Sequence, residues 1–369
     1  MGLLAFQSYR RSISFSRGEL TGAIGDSVTV LPIAVAIGAL TELSLGRMLL
    51  GFAAFQVIWG LRYGLPVSVE PMKALAALVV AGALSPNELV VAGLLAGVAL
   101  LLLGATRSLG KVAEYIGEPV VRGVQLAVAL ILLETGVRLS LDALPVAVLG
   151  VVAAGAVTLA GYRRASALGV LALGVGLALL GNGVPALQVP AFVLSVPATS
   201  AFTRPAVEAT VAQLAMTVGN AAVATSLLLS QYYDADASPD ELATSMGVMN
   251  LLAVPLGALP MCHGSGGVAG KHAFGARTAG ANLILGGLYA VAALSAGAIA
   301  AFPLAVLGVV LALVAAELGR AGLDTTHLPT TVAIGVLGLL TNVGVAFLAG
   351  TVGYLLLERR RSAQPAPAT

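Results

Sequence analysis

The chain has 369 residues, 58% of them hydrophobic and 10% charged, with a formal net charge of +2. A soluble domain carries about 25% charged residues, so a soluble globular protein is excluded. The near-neutral charge gives no footprint for a nucleic-acid partner. The single cysteine, Cys262, excludes an intramolecular disulfide and a Cys-rich metal site.

Residues 1–18 carry Arg10, Arg11 and Arg17 with no apolar h-region and no small-residue cleavage site. They read as a cytoplasmic cationic flank rather than a twin-arginine signal. Apolar segments then follow at about 19–42, 44–61, 71–84, 88–106, 112–137, 143–161 and 166–181. After a Pro-rich link come 206–232, 241–258, 265–275, 278–300, 302–319, 328–341 and 343–357, and residues 358–369 form a basic, disordered cytoplasmic tail. The runs are continuously apolar rather than alternating, which excludes a β-barrel. The 45 glycines suit closely packed membrane helices. An all-α polytopic membrane protein is expected, embedded in a lipid bilayer. The third and tenth segments are shorter than the ~20 residues that span a bilayer.

Charge bias tests the count of fourteen. With the N-terminus cytoplasmic, Arg10, Arg11, Arg17, Arg62, Arg107, Lys111, Arg163, Arg164, Lys271, Arg277, Arg320, Arg359, Arg360 and Arg361 fall inside. Only Arg47, Arg138 and Arg204 fall outside. This asymmetry fits the positive-inside rule and puts both termini in the cytoplasm.

A repeat is also legible. Gly25-Asp26 lies in the first segment and Gly219-Asn220 in the eighth, and Pro66 and Pro260 each follow a Leu, 40 residues beyond Asp26 and Asn220. One offset of 194 residues therefore aligns both landmarks. Seven segments per half is odd, so the halves 19–181 and 206–357 are inverted relative to each other. That is the plan of an inverted-repeat transporter, whose substrate binds where broken helices meet.

LPVSVEPMK and LPMCHGSGG supply the breaks. Pro71 suits the first turn of a half-helix, and Ser265-Gly266-Gly267 suits the start of its mate. Two helix N-termini would then present free N–H groups and positive dipole ends to one anion. Lys73 could add a full charge, and Ser68, His263 and Ser265 could donate hydrogen bonds. Gly264, Gly266 and Gly267 allow close backbone approach, or simply close helix packing. Asp26 and Glu70 are intramembrane carboxylates that must face protein or water. Either could carry a coupled proton, and Glu70 could instead pair with Lys73. Glu134 and Glu208 read as interfacial, Arg122 as a partner of Glu118, and His272 and His327 as loop residues. Cys262 and His263 have no neighbours for a metal site. No catalytic fingerprint or cofactor motif is present.

GELTGAIGDSVTVLPI, GLPVSVEPMKALAAL and GVMNLLAVPLGALPMCHGSGGVAGKHAFGARTAG resemble signature segments of the molybdate transporter family. That family is a branch of the sulfate-permease superfamily that lacks a STAS domain. The resemblance spans about Gly18 to Gly280. It implies a seven-plus-seven inverted repeat like that of sulfate and uracil permeases, with core and gate domains each built from both repeats and an elevator-like movement of the core. It also implies uptake of molybdate, with tungstate or sulfate as alternatives. By motif position the anion site involves Asp26, Glu70, Pro71, Met72, Lys73, Asn220, His263, Gly264, Ser265, Gly266 and Gly267. One departure is Glu70, where the family pattern carries Gln. A carboxylate there disfavours a dianion unless it is protonated or paired with Lys73.

Three other readings are open: a nucleobase permease of the same fold, a passive anion channel, and an intramembrane enzyme built on His263 and Ser265. A Gly-rich second half-site favours a small anion over a nucleobase, and the absence of a paired nucleophile and base disfavours the enzyme. A homodimer is expected by analogy of fold. Three Lys against sixteen Arg, with abundant Ala and Gly, point to the plasma membrane of a GC-rich prokaryote.

Overall fold

Both halves of the chain interrupt their helices at a Leu-Pro, and everything central in the structure follows from those breaks. The structure, a computed structural model, describes residues 12–191 and 193–362. Arg10 and Arg11 of the N-terminal flank and residues 363–369 of the tail lie outside the described residues.

The first half opens with α1 (Arg17–Leu40), capped by the Ser16 hydroxyl accepting from the Glu19 N–H. Helix α2 (Leu45–Tyr63) stops at Gly64, whose φ of 65° closes the helix in the left-handed region. An extended stretch leads into strand β1 (Glu70–Pro71) and the short helix α3 (Lys73–Val80). Helix α4 (Pro86–Ala105) starts from a Ser85–Glu88 capping box. Helices α5 (Leu109–Tyr115), α6 (Glu118–Leu141), α7 (Leu144–Leu159) and α8 (Ser166–Asn182) complete the half. The expected continuous segment 112–137 is thus broken. Gly117 takes φ +36° and Pro119 follows in the first turn of α6, so the helix cannot run through.

The second half repeats the plan. Helices α9 (Arg204–Met216) and α10 (Thr225–Tyr233) are joined without interruption by a π-helical stretch, Thr217–Ala224. Helix α11 (Pro239–Ala253) ends in a short 3-10 turn closed by Gly257 at φ 79°. Strand β2 (Met261–Cys262) leads to the short helix α12 (Ser265–Ala273). Helices α13 (Gly280–Leu294), α14 (Leu304–Leu323), α15 (Leu328–Leu340) and α16 (Val343–Ser362) follow. Helix α16 continues through the arginines to Ser362, past Leu357 where the apolar run ends.

The packing carries the twofold relation. Strands β1 and β2 pair antiparallel, Glu70 with Cys262 and Pro71 with Met261. Helix α4 packs on α11 and α2 on α13. Under the 194-residue offset α4 matches α13 and α2 matches α11, so these are one contact seen from either half. Helix α1 packs on α12 and α3 on α9 in the same exchanged way, and α6 packs on its own counterpart α14. Among the described residues, six stretches are long and apolar enough to cross a membrane unaided, including Arg17–Leu40, Glu118–Leu141 and Arg204–Tyr233. Val148, Leu149, Val151 and Val152 of α7 and Leu180 of α8 are exposed, an apolar surface that fits lipid.

Among the described residues, the charges assigned to the aqueous side by the positive-inside count sit mostly at helix ends. Lys271 also lies in the last turn of its helix, α12, but it is fully buried and is not a loop cation.

Candidate functional site

The two unwound stretches are held open by side-chain amides at matching positions. Asn250 of α11 brackets the Met261 peptide: its Nδ2 donates to the Met261 carbonyl and its Oδ1 accepts from the Met261 N–H, both at 2.7 Å. Its counterpart at the 194-residue offset, Gln56 of α2, donates through Nε2 to the Val69 carbonyl at 3.1 Å. The Met72 N–H donates to the Pro260 carbonyl at 2.8 Å. Backbone groups unsatisfied by helix are thereby paired inside the protein, which irregular chain at membrane depth requires. Pro71 does not occupy the first turn of α3 as its sequence context suggests. It lies in β1, where a missing N–H is tolerated at the edge of a two-residue strand. Buried Met72 is the residue that precedes the helix.

Neither half-helix presents an empty N-terminus. At α12, the carboxylate of Glu70 lies against the chain at Gly264 and Gly267, where a Cβ on either glycine would overlap it. It sits beside the Gly267 backbone N–H, where a carboxylate offsets the positive end of the helix. At α3, Gln213 Oε1 accepts from the Ala74 N–H at 2.9 Å. Some of the free N–H groups expected from the sequence, those of Gly267, Ala74 and Leu75, are therefore met by the protein's own oxygens. Gly266 differs from its neighbours: it is exposed, and a Cβ there meets nothing within 4 Å.

Glu70 also pairs with Lys73 across three residues. The carboxylate is fully buried, while the Lys73 side chain keeps 14% of its surface exposed. Ser68 Oγ donates to Asp26 Oδ1 at 2.6 Å and lies 3.4 Å from Glu70 Oε1. The hydroxyl thus stands between the two carboxylates.

Asp26 is fully buried and its ion-pair partner is Lys271, with Nζ 3.1 Å from Oδ2. Gln56 Nε2 donates to the same Oδ2 at 3.0 Å. Lys271, Gln56, Gln213 and Asn282 are the buried polar residues that sequence reasoning passed over. The available signal for Lys271 was its place inside the expected apolar segment 265–275, although the last turn of a helix is also an ordinary place for a cation.

Asn220 lies in the π-helical stretch, a distortion frequent at functional sites. Its Oδ1 accepts from Ser265 Oγ at 2.5 Å. His263 is fully buried, with Nδ1 3.0 Å from the Ser68 carbonyl and Nε2 2.7 Å from Ser245 Oγ. A carbonyl only accepts, so Nδ1 carries the hydrogen. Both ring nitrogens hold structure together, and neither Ser68 nor Ser265 is idle. A small cavity lies between Lys73, Gln213, Thr217, Asn220, Cys262 and Gly264. It has room for roughly one water.

Of the sequence-derived residues, Asp26, Glu70, Lys73, Gly264 and Gly267 converge around Ser68 at the start of α12. Asn220, Ser265 and His263 form the adjoining wall. Pro71 and Met72 supply backbone, and Gly266 stands apart. Glu118–Arg122 at 3.0 Å, Glu134–Arg138 at 2.6 Å and Arg204–Glu208 at 2.7 Å are local helix pairs away from it. His272 belongs to α12 and stacks on Tyr232 at 4.1 Å, and His327 caps α15; neither is a plain loop residue. Among the described residues no group of three or more His, Cys, Asp or Glu is arranged to hold a metal ion.

Chemically, the site combines two carboxylates and two ammonium groups, one pair sealed and one reaching a cavity. Neutralising Glu70 would leave Lys73 as an unmatched cation beside that cavity.

Comparison with known proteins places this geometry. Residues 18–132 and 205–318, one block in each half, match the profile of a family described as "Molybdate transporter of MFS superfamily". Molybdate transporter 2 of Arabidopsis thaliana is 29% identical over 405 residues, covering 93% of this chain and 87% of that protein. Molybdate transporter 1 of Chlamydomonas reinhardtii is 25% identical over 483 residues, covering 95% and 93%. Among solved structures, the transmembrane domain of a cyanobacterium bicarbonate transporter, BicA, superposes with a TM-score of 0.65 at 20% identity, covering 93% of this chain and 99% of that one. The murine anion transporter Slc26a9 in its inward-facing state gives 0.72 at 12% identity, covering 98% and 71%. The fold is that of these transporters. It is not built from the two six-helix halves of the superfamily named in the profile's description.

Proposed function

The chain belongs to the molybdate transporter family, and from that premise we propose that it imports a tetrahedral oxyanion, molybdate, by alternating access at the α3–α12 junction. It is a multi-pass membrane transporter of anions and not an enzyme. The observation that carries the finer reading is Lys73. It stands at the first position of α3, faces the cavity, and is matched there by a carboxylate that a proton could neutralise.

In this reading Glu70 is an internal stand-in for the substrate. With no oxyanion bound, its carboxylate holds both Lys73 and the start of α12. Protonation of Glu70 releases Lys73, and the incoming dianion takes over the ammonium and the helix dipoles. Co-import of a proton with the anion follows directly. Asp26 is the second candidate for the proton; both carboxylates are paired with an ammonium, and Glu70 is the one whose partner reaches the cavity.

The packing supports an elevator. Helices α1–α4 and α9–α13 exchange contacts across the twofold relation and carry the site, which suits a moving core. Helices α6 and α14 pack on each other, with α7, α8, α15 and α16 around them, which suits a gate. The charge bias of the loops supports a reading in which both termini face the cytoplasm.

Labelled molybdate uptake into proteoliposomes, with and without an inward proton gradient, tests the proposal. Saturable uptake stimulated by the gradient is expected, with tungstate and sulfate as competitors that rank selectivity. Absence of saturable uptake together with no binding of any tetrahedral oxyanion refutes it.

A further inference from the structure

The Asp26–Lys271 pair does not line the cavity and reaches the anion site only through Ser68, yet among the described residues it is the one ion pair with both side chains fully buried. Lys271 Nζ is ringed by four oxygens from four parts of the chain: α13, α2, α1 and the unwound stretch before β1. They are Asn282 Oδ1 at 2.8 Å, Gln56 Oε1 at 3.0 Å, Asp26 Oδ2 at 3.1 Å and the Val67 carbonyl at 3.2 Å. The orientation of both amides is determined by what else they do. Gln56 turns its NH₂ to Asp26 and the Val69 carbonyl, and Asn282 turns its NH₂ to the carbonyls of Gln56 and Val67. Each is thereby forced to present its oxygen to the ammonium, while its NH₂ also holds one of the other ring oxygens in place: Gln56 holds Asp26 Oδ2 and Asn282 holds the Val67 carbonyl.

An ammonium has three N–H groups and here meets four oxygens. One carboxylate, two amide oxygens and one carbonyl from an unwound stretch is the donor set of a monovalent-cation site. Unwound backbone carbonyls are where transporters of this general design coordinate their coupling cation. In this chain the position is filled by a side chain.

We infer that the oxygen ring is a monovalent-cation site whose cation is permanently supplied by Lys271. The tethered ammonium neutralises Asp26, which holds Ser68, which in turn stands against Glu70. The anion site is thereby kept assembled without any free Na⁺ or K⁺. Removing the amine, while leaving space, uncovers a site for a free cation of the same class.

The test uses the full-length protein and three readouts. In choline buffer, wild-type molybdate uptake is expected to be unchanged by added Na⁺ or K⁺; saturable stimulation by either overturns the inference without need of any variant. Lys271→Ala is expected to lose about tenfold or more in molybdate affinity in choline, and to regain it saturably with Na⁺, K⁺ or methylammonium. Lys271→Met, which fills the space without charge, is expected to lose affinity and regain none. The thermal midpoint is read in parallel, without anion: it should rise with added cation for Lys271→Ala alone. A folded Lys271→Ala protein that no cation stabilises overturns the inference. The uptake and affinity arms rest on the oxyanion reading, but the stability arm does not. Cation-dependent stability without any molybdate binding would retain the cation site and reject the transport reading.

Discussion

Replacing Glu70 with Gln separates the two roles that the structure gives this carboxylate. It fills the start of α12 and it neutralises Lys73, being fully buried itself. An oxyanion at Lys73 must sit close to Glu70, on the order of 4 Å, since the two compete for one ammonium. A unit-charge interaction at that distance is about 1 kcal/mol in bulk water and about 4 kcal/mol at an effective dielectric near 20. For a dianion these double, to about 2 and 8 kcal/mol. The lower figure is the relevant one, because the cavity must open to water to admit substrate. At 1.4 kcal/mol per factor of ten, Glu70→Gln should tighten molybdate binding near neutral pH by about 30-fold. Wild-type affinity should strengthen as pH falls and Glu70 takes up a proton, whereas the variant should be tight and insensitive to pH. Without anion the same variant leaves Lys73 unmatched, and breaking a buried pair costs about 3–5 kcal/mol. The 14% exposure of Lys73 places the cost at the lower end. The thermal midpoint should therefore fall in anion-free buffer and recover on adding molybdate. Equilibrium binding by calorimetry across pH, with thermal scans in parallel, reads all of this. A folded Glu70→Gln protein that binds more weakly, or that keeps the wild-type pH dependence, refutes the competition between Glu70 and substrate.

Lys73→Ala should weaken molybdate binding by about 1.5–3 kcal/mol, the worth of a charge-assisted hydrogen bond, in the same calorimetric assay. Gly267→Ala places a Cβ against Asp26 Oδ1, Ser68 Oγ and Glu70 Oε1 and should abolish uptake, whereas Gly266→Ala meets nothing within 4 Å and should retain it. Comparing the two in proteoliposomes distinguishes a requirement at one position from general intolerance of the helix. Asp26→Asn leaves Lys271 buried without its carboxylate and should destabilise the protein by about 3–5 kcal/mol, seen as a lowered thermal midpoint whether or not anion is present.

What was legible in the sequence is what the repeat writes twice. The Leu-Pro breaks, the short half-helices and the matched landmarks Asp26 and Asn220 recur at one offset, and the structure pairs the two stretches as β1 and β2. The same offset also matches Gln56 with Asn250, and each ties its helix to the unwound chain beside it. What was not legible is where the halves differ. Lys271 falls opposite Ala77, so no echo in the first half marks it, and charge bias alone counts it among the cytoplasmic cations. Gln213 likewise gives no local sign that it fills the start of α3, because the N–H groups it accepts from are 139 and 138 residues away.

These differences are what make the site chemical. At the 194-residue offset Glu70 falls opposite Gly264, and Lys73 falls opposite Gly267. Those are the two glycines against which the Glu70 carboxylate lies. The first break, through β1 and the start of α3, therefore places its charged residues in space that the second leaves open by having no side chain there. A strictly symmetric site would put two carboxylates or two ammonium groups on the twofold relation, and like charges at that separation repel by the amounts given above. Giving the charges to one half and the glycines to the other avoids the repulsion. It also leaves one carboxylate–ammonium pair at the meeting point of the two helix starts, where a single proton decides whether the cation is free to take an anion.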